Sequence, residues 1–217
     1  MVKTGRHGGA TSQLHATPVA ERVRGGRWEH GAVATTREKL LDAVRDAAFE
    51  GSLGDLTPAA VARRAGIHRV TFYRYWPDIH LATIEAFAAE IDRLSAVEDE
   101  TVRDLTATAD LASVYDRTLE RSLVEIRDHR SVYRTLFALP AFQSRALEVL
   151  RERSATMVAT LQRSGTEVAG SESGTAADFL AGASLAVLTA WAADDTTDAS
   201  SRVHEILAQM PAWWPRA

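Results

Sequence analysis

One segment, residues 57–77, constrains the fold of this chain more than any other. It opens with Thr57-Pro58, a helix start in which the threonine hydroxyl can accept from free backbone amides and proline loses no hydrogen bond. About two turns later Gly66 can adopt the left-handed conformation that a tight turn between helices requires. A second short helix over residues 68–75 then turns Phe72 toward a core. Two short helices joined by a glycine turn are typical of a helix-turn-helix, whose second helix enters the major groove of DNA.

The side chains left outside this predicted core have the chemistry of nucleic-acid contacts. Arginine can fork onto guanine or phosphate, a threonine can donate a hydrogen bond or touch the thymine methyl group, and tyrosine hydroxyls bind phosphate oxygens. The predicted DNA-contacting residues are Thr57, His68, Arg69, Val70, Thr71, Tyr73, Arg74 and Tyr75.

The same residues carry a family resemblance. The turn Ala65-Gly66-Ile67 and the run Thr71-Phe72-Tyr73-Arg74-Tyr75-Trp76-Pro77 resemble the TetR family of transcriptional repressors, over about residues 35–85. The resemblance implies an all-α fold with a three-helix DNA-binding domain at residues 35–82. A helical effector-binding and dimerisation domain would follow at residues 83–217. It also implies a homodimeric repressor that a small molecule releases from a palindromic operator.

Two positions depart from the family pattern. His68 stands at the cap of the second helix, where the family often has serine, and histidine is a poorer cap. Ile79 stands where the family often has a phosphate-binding lysine. The missing lysine at Ile79 leaves an alternative open, in which the chain is a helical protein-interaction module with a degenerate helix-turn-helix.

The charge is divided unevenly along the chain. Residues 1–80 carry 12 Lys and Arg against 8 Asp and Glu, whereas residues 81–217 carry 13 against 21. Such asymmetry is typical of chains that bind nucleic acid at one end. Residues 1–34 are rich in glycine and show no helical period, which predicts a disordered basic arm.

Apolar spacing predicts helices in most of the remaining chain and no strand. A capping box at Thr35 and Glu38 opens the first helix, and Gly51 ends it. Further helices are predicted from Asp78 to about Leu94, around 111–126, over 131–139 and from Pro140 to about Leu161. After a polar loop at 165–174, two more are predicted at 178–193 and 200–210.

The second half supplies candidates for two further sites. Small residues in the 178–193 helix allow close helix approach, and the predicted dimer interface comprises Phe179, Leu180, Ala183 and Val187. Aromatic walls suit small-molecule sites. The predicted effector-binding residues, which are equally compatible with an ordinary core, are Tyr115, Tyr133, Phe137, Phe142, Met157 and Trp191.

Composition and motifs argue against other classes. The chain has no cysteine, and its seven histidines form no His-x-x-x-His pair that would hold a metal. It has no glycine-rich phosphate loop and no nucleophile elbow, so we expect neither an enzyme nor a cofactor. No apolar run reaches the length of a membrane span and no signal peptide is apparent, which predicts a cytoplasmic protein without a membrane partner.

Overall fold

A computed structural model describes residues 34–97 and 108–216 of the chain. Within these residues every regular element is helical, which confirms the predicted all-α class. The predicted basic arm lies outside the described residues, except for Ala34.

The helices follow one another with short connections. In chain order they are α1 Thr36–Glu50, α2 Pro58–Arg64, α3 Arg69–Phe72, α4 Ile79–Ser95, α5 Thr108–Asp128, α6 Arg130–Phe137, α7 Pro140–Arg163, α8 Thr175–Ala193 and α9 Ala199–Leu207, with a 3-10 turn at Leu53–Asp55 between α1 and α2.

The start of α1 shows the predicted local chemistry. The Thr35 hydroxyl accepts from the amide of Glu38, and the Glu38 carboxylate accepts from the amide of Thr35, which completes the capping box. Leu40, Val44 and Ala48 follow at helical spacing and are fully buried. One face of α1 therefore packs against the core, and α4 is its main partner.

Two hydrophobic clusters hold the described helices together. The main cluster extends from Val44 in α1 through Phe87 in α4 and Tyr133 in α6 to Trp191 in α8. A smaller cluster joins α5, α7 and α8 to the C-terminal segment, where Trp214 packs. The most extensive helix pairing is that of α7 with α8.

Helix α3, the second helix of the predicted helix-turn-helix, is shorter than the sequence pattern predicts. Helical spacing predicts a helix through Tyr75, but α3 ends at Phe72 and continues as turns. In these turns the amides of Arg74 and Tyr75 donate to the carbonyls three residues earlier. The Trp76 amide donates to the Phe72 carbonyl at 3.1 Å, so Trp76 stays on the same side as Phe72 and the two rings pack together in the core before Pro77.

Candidate DNA interface and internal cavity

A tight turn at Gly66 sets the direction of α3 relative to α2. Gly66 has a φ of 68°, in the left-handed region that favours glycine. The Ile67 amide donates to the carbonyl of Ala62 at 2.8 Å, and the Gly66 amide donates to that of Arg63 at 3.1 Å. These bonds use carbonyls that the end of α2 would otherwise leave without partners.

Two aromatic side chains anchor α3 from beneath. Phe72 is fully buried and Trp76 is nearly so, with their ring centroids 5.6 Å apart. The guanidinium of Arg37 in α1 lies 5.5 Å from the centroid of Trp76. The buried side of α3 is thereby attached to the first helix, which leaves its other side facing outward.

The outward side of α3 and the following turns bears the predicted contact residues. We call His68, Arg69, Val70, Thr71, Tyr73, Arg74 and Tyr75 the recognition surface; all but the half-buried Thr71 are exposed. Val70 is 76% exposed. His68 is the N-cap of α3 but makes no side-chain capping bond, as the poor capping chemistry of histidine predicts. Thr57 caps α2 by accepting from the amide of Ala60 at 3.2 Å.

Two residues of the recognition surface form one unit. The Arg69 guanidinium donates to the Tyr73 hydroxyl at 3.0 Å and lies 5.4 Å from the centroid of the tyrosine ring. Residues four apart on a helix lie on the same face, so the pair holds both side chains in a shared orientation. This coupling leaves the Tyr73 hydroxyl proton free for a phosphate oxygen.

At two positions, Arg64 and Ile79, the residue has a structural role instead of a role in phosphate binding. The Arg64 guanidinium donates to both carboxylate oxygens of Glu50, so this arginine ties α2 to the end of α1. Hydrogen bonding from Arg64 lowers the pKa of Glu50. Ile79, at the position where the family often has lysine, is half-buried and packs against the main cluster. Sequence spacing alone does not predict the Arg64 ion pair, because its partner lies in another helix.

A cavity of about 490 Å³ lies among α5, α7, α8 and α9 and reaches the end of α4. Its volume is in the range of small-molecule sites. Most of its wall is aliphatic or aromatic, with hydroxyl groups between. The lining includes Ser95, Tyr115, Thr118, Leu119, Ser122, Leu150, Arg153, Ser154, Met157, Thr160, Phe179, Leu180, Ala183, Val187, Arg202 and Trp214.

The structure divides the predicted effector-binding residues into two groups. Tyr115 and Met157 are on the cavity wall. The other four, Tyr133, Phe137, Phe142 and Trp191, are buried in the main cluster and do not line this cavity. The Trp191 indole N–H donates to the carbonyl of Leu123 at 2.8 Å, which is the pattern of a satisfied core tryptophan.

The polar groups of the cavity wall are largely engaged with the protein. The hydroxyls of Thr118, Ser122 and Thr160 donate to carbonyls one turn back in their own helices. The charged side chains on the wall are in ion pairs: Arg153 contacts both oxygens of Asp92 at 2.6 Å, and Arg202 contacts Asp194 at 2.7 Å. Burial raises the pKa of Tyr115 to about 12, so its phenol is neutral at physiological pH.

One face of α8 serves both the cavity and the outside of the subunit. Phe179, Ala183 and Val187 line the cavity and keep part of their surface exposed, with Phe179 at 56%. Leu180, predicted for the dimer interface, is 2% exposed and packs within its own chain. Among the described helices, α8 alone is long and apolar enough to span a membrane, a property that core helices of soluble proteins share; 39% of it is buried.

A partly buried polar cluster, which we call the junction cluster, comprises Arg45 and Phe49 of α1, Glu90 and Arg93 of α4, Glu125 of α5 and His129 directly after α5. The Glu90 carboxylate, 2% exposed, contacts Arg45 at 3.2 Å and also pairs with Arg93. The imidazole of His129 stacks on Phe49 with centroids 3.6 Å apart and lies 3.8 Å from Glu125. Burial raises the pKa of Glu125, and the nearby His129 opposes this shift. No sequence pattern indicates this cluster, because its members on different helices are far apart in the chain.

The similarity of this chain to known proteins is at the level of the fold. No family model and no curated protein matches the sequence. FadR from Bacillus halodurans, described as a fatty acid degradation regulator, has a TM-score of 0.54 and 14% identity, with 81% of this chain and 94% of that chain covered.

Two further solved structures match the same part of the chain. RolR without ligand has a TM-score of 0.50 and 17% identity, with 77% of this chain and 89% of that chain covered. A TetR transcriptional regulator from Rhodococcus sp. RHA1 has a TM-score of 0.50 and 20% identity, with 80% and 96% covered. The chain therefore has the fold of TetR-type transcriptional regulators, and these structural neighbours are regulators rather than enzymes.

No group of three or more His, Asp or Glu side chains that would hold a metal occurs in residues 34–97 or 108–216.

Proposed function

We propose that the chain is a sequence-specific DNA-binding transcriptional regulator of the TetR type, acting in the cytoplasm as a homodimeric repressor. The observation that carries this proposal is the recognition surface. It presents two arginines and two tyrosines on α3 and the turns that follow it, which Phe72 and Trp76 anchor from the opposite side. An interaction module would have no need for this set of phosphate and base ligands.

Dimerisation is supported by the outer face of α8. Phe179 and the small residues Gly182, Ala183 and Ala186 leave an apolar strip on the outside of the subunit. Covering this strip with its two-fold copy would remove it from water and let the helices approach closely. A two-fold dimer would present two copies of α3 roughly 34 Å apart, which matches half-sites one turn of DNA apart and hence a palindromic operator.

Regulation by a small, mostly apolar molecule is supported by the cavity and by α4. This helix begins directly after the recognition surface, and Ser95 at its other end lines the cavity. The Asp92–Arg153 ion pair ties α4 to the cavity wall, and Arg37–Glu85 at 2.8 Å ties it to α1. A ligand that favours a different position of α4 would shift the two recognition helices away from the spacing that DNA requires.

The test is a selection of bound duplexes from a random DNA pool, using the full chain at moderate salt. We expect a palindrome to be enriched, and the affinity for it to fall as salt rises because phosphate contacts release counterions. Failure to enrich any sequence, combined with binding that disappears at modest salt, would overturn the proposal and favour the interaction module. The control is Arg69→Ala with Arg74→Ala, which should remove enrichment without changing the helical circular dichroism.

A further inference from the structure

Val70 has an unusual environment for a valine. At 76% exposure it has the largest exposed fraction of any large apolar side chain in residues 34–97 and 108–216. Along the chain it lies within the recognition surface, between Arg69, which is coupled to Tyr73, and the half-buried Thr71. The core beneath α3 is filled by Phe72 and Trp76, so the valine methyl groups take no part in holding the fold together.

The chemistry of Val70 and of its neighbours indicates which group on DNA the valine can contact. Arg69 is held against Tyr73, and both are polar groups suited to phosphate or to a base acceptor. An aliphatic side chain can make neither kind of contact. Among the base edges in the major groove, thymine alone offers an apolar group, its 5-methyl, and aliphatic side chains contact it there.

We propose that Val70 reads the 5-methyl group of one thymine in each half-site of the operator. This inference rests on the proposed function and specifies one base of the DNA that the recognition surface binds. Val70 is then a specificity-determining residue, and the arginine–tyrosine pair beside it sets the register in which the valine meets the base.

Thr71 is the rival for the same role, because its side chain also carries a methyl group. It is half-buried, whereas Val70 projects freely. The two can be separated, since Val70→Ala removes both valine methyl groups and Thr71→Ser removes the threonine methyl while keeping the hydroxyl. Neither substitution changes a fully buried side chain, so both variants should fold.

The experiment replaces each thymine of the selected operator in turn by deoxyuridine, which keeps the base pair and removes only the methyl group. We expect one thymine per half-site to be sensitive, with affinity falling about 4-fold for one half-site and about 14-fold for both. The first figure is the effect of one buried methyl-sized group, about 0.8 kcal/mol, converted at about 1.4 kcal/mol per tenfold.

The variants assign that sensitivity to a side chain. In Val70→Ala the difference between the operator and its deoxyuridine form should shrink, because only the shorter Cβ methyl remains, while Thr71→Ser should keep the wild-type difference. An operator without thymine in its half-sites, sensitivity that is undiminished in Val70→Ala, or sensitivity that disappears in Thr71→Ser would overturn the inference and leave the proposed function in place. Absence of any enriched operator would overturn both.

Discussion

At the scale of the residue, Glu90 carries the one buried charge in the described part of the chain. It is buried between Arg45 and Arg93, whose side chains keep 26% and 59% of their surface. Glu90→Gln keeps the shape and removes the charge, which leaves two guanidinium groups converging on a neutral amide. We expect the free energy of unfolding to fall by about 1–3 kcal/mol, less than for a fully buried pair because both arginines still reach water.

Urea denaturation monitored by circular dichroism measures this loss, and Glu148→Gln is the matched control. Glu148 is 62% exposed and pairs with Arg145 at 3.0 Å on the surface. Exposed ion pairs contribute little, so the control should change stability by less than about 0.5 kcal/mol. Equal losses in the two variants would contradict a special role for the buried carboxylate.

The coupled pair on the recognition surface leads to a prediction of non-additivity. Arg69→Ala removes a proposed DNA ligand, and Tyr73→Phe removes both a proposed phosphate ligand and the hydroxyl that holds Arg69. Each change should weaken operator binding several-fold, and the double variant should lose less than the sum of the single losses, with a coupling of about 0.5–1 kcal/mol. Titrations of labelled operator by fluorescence anisotropy measure the cycle, and strict additivity would show that the two side chains act separately.

Glu125 gives a prediction for pH. Because burial raises its pKa in the folded chain, the folded state holds the proton more tightly than the unfolded state does. The stability of the wild type should therefore fall as pH rises from the ordinary glutamate pKa through the folded pKa, an effect that Glu125→Gln lacks.

Thermal melts of the two proteins between pH 4 and 8, in the same buffers, isolate this group. The melting temperature of the wild type should rise relative to that of Glu125→Gln as pH falls. A constant or opposite difference would show that ionised Glu125 is not penalised in the fold.

At the scale of the element, sequence patterns predicted the caps, helix starts and turns, which depend on residues close together in the chain. The Thr35 cap, the Pro58 start and the left-handed Gly66 follow from local backbone chemistry, and the structure has all three. Patterns could not separate a core wall from a cavity wall. Helical spacing turns Tyr115 and Trp191 inward alike, but only the packing of α7, α8 and α9 decides that the first borders empty space and the second does not.

The outer face of α8 makes a prediction at the same scale. Phe179→Glu places a charge on the exposed apolar strip, so the subunit should keep its helical content and become monomeric by sedimentation. Leu180→Glu instead buries a charge inside the subunit and should unfold it. Ala89→Glu on the exposed side of α4 is the control and should remain a dimer. A Phe179→Glu dimer would show that another face carries the interface.

At the scale of the whole molecule, one helix, α4, extends from the recognition surface to the cavity. α4 packs on α1 and on α7, and α7 forms a cavity wall. The junction cluster holds α4 to α1 through Arg45 and Glu90, and holds α1 to the end of α5 through Phe49 and His129. A regulator built this way keeps its cavity at a cost in stability, because empty space forfeits the contacts that a filled core would have.

Filling the cavity should therefore raise the free energy of unfolding and abolish the proposed release from DNA by a small molecule. Ser154 is 8% exposed and lies on the cavity wall, so Ser154→Leu would place an aliphatic side chain in the empty volume. We expect about 1–2 kcal/mol of added stability from the new apolar burial. Operator affinity should be unchanged, because the substitution leaves α3 and the junction cluster intact, whereas release by any molecule that binds the cavity should be lost.

Ala155→Leu, one residue along on the exposed side of the same helix, is the matched control. It should keep both the wild-type stability and the response, and a Ser154→Leu protein that is still released from DNA would place the effector outside this cavity.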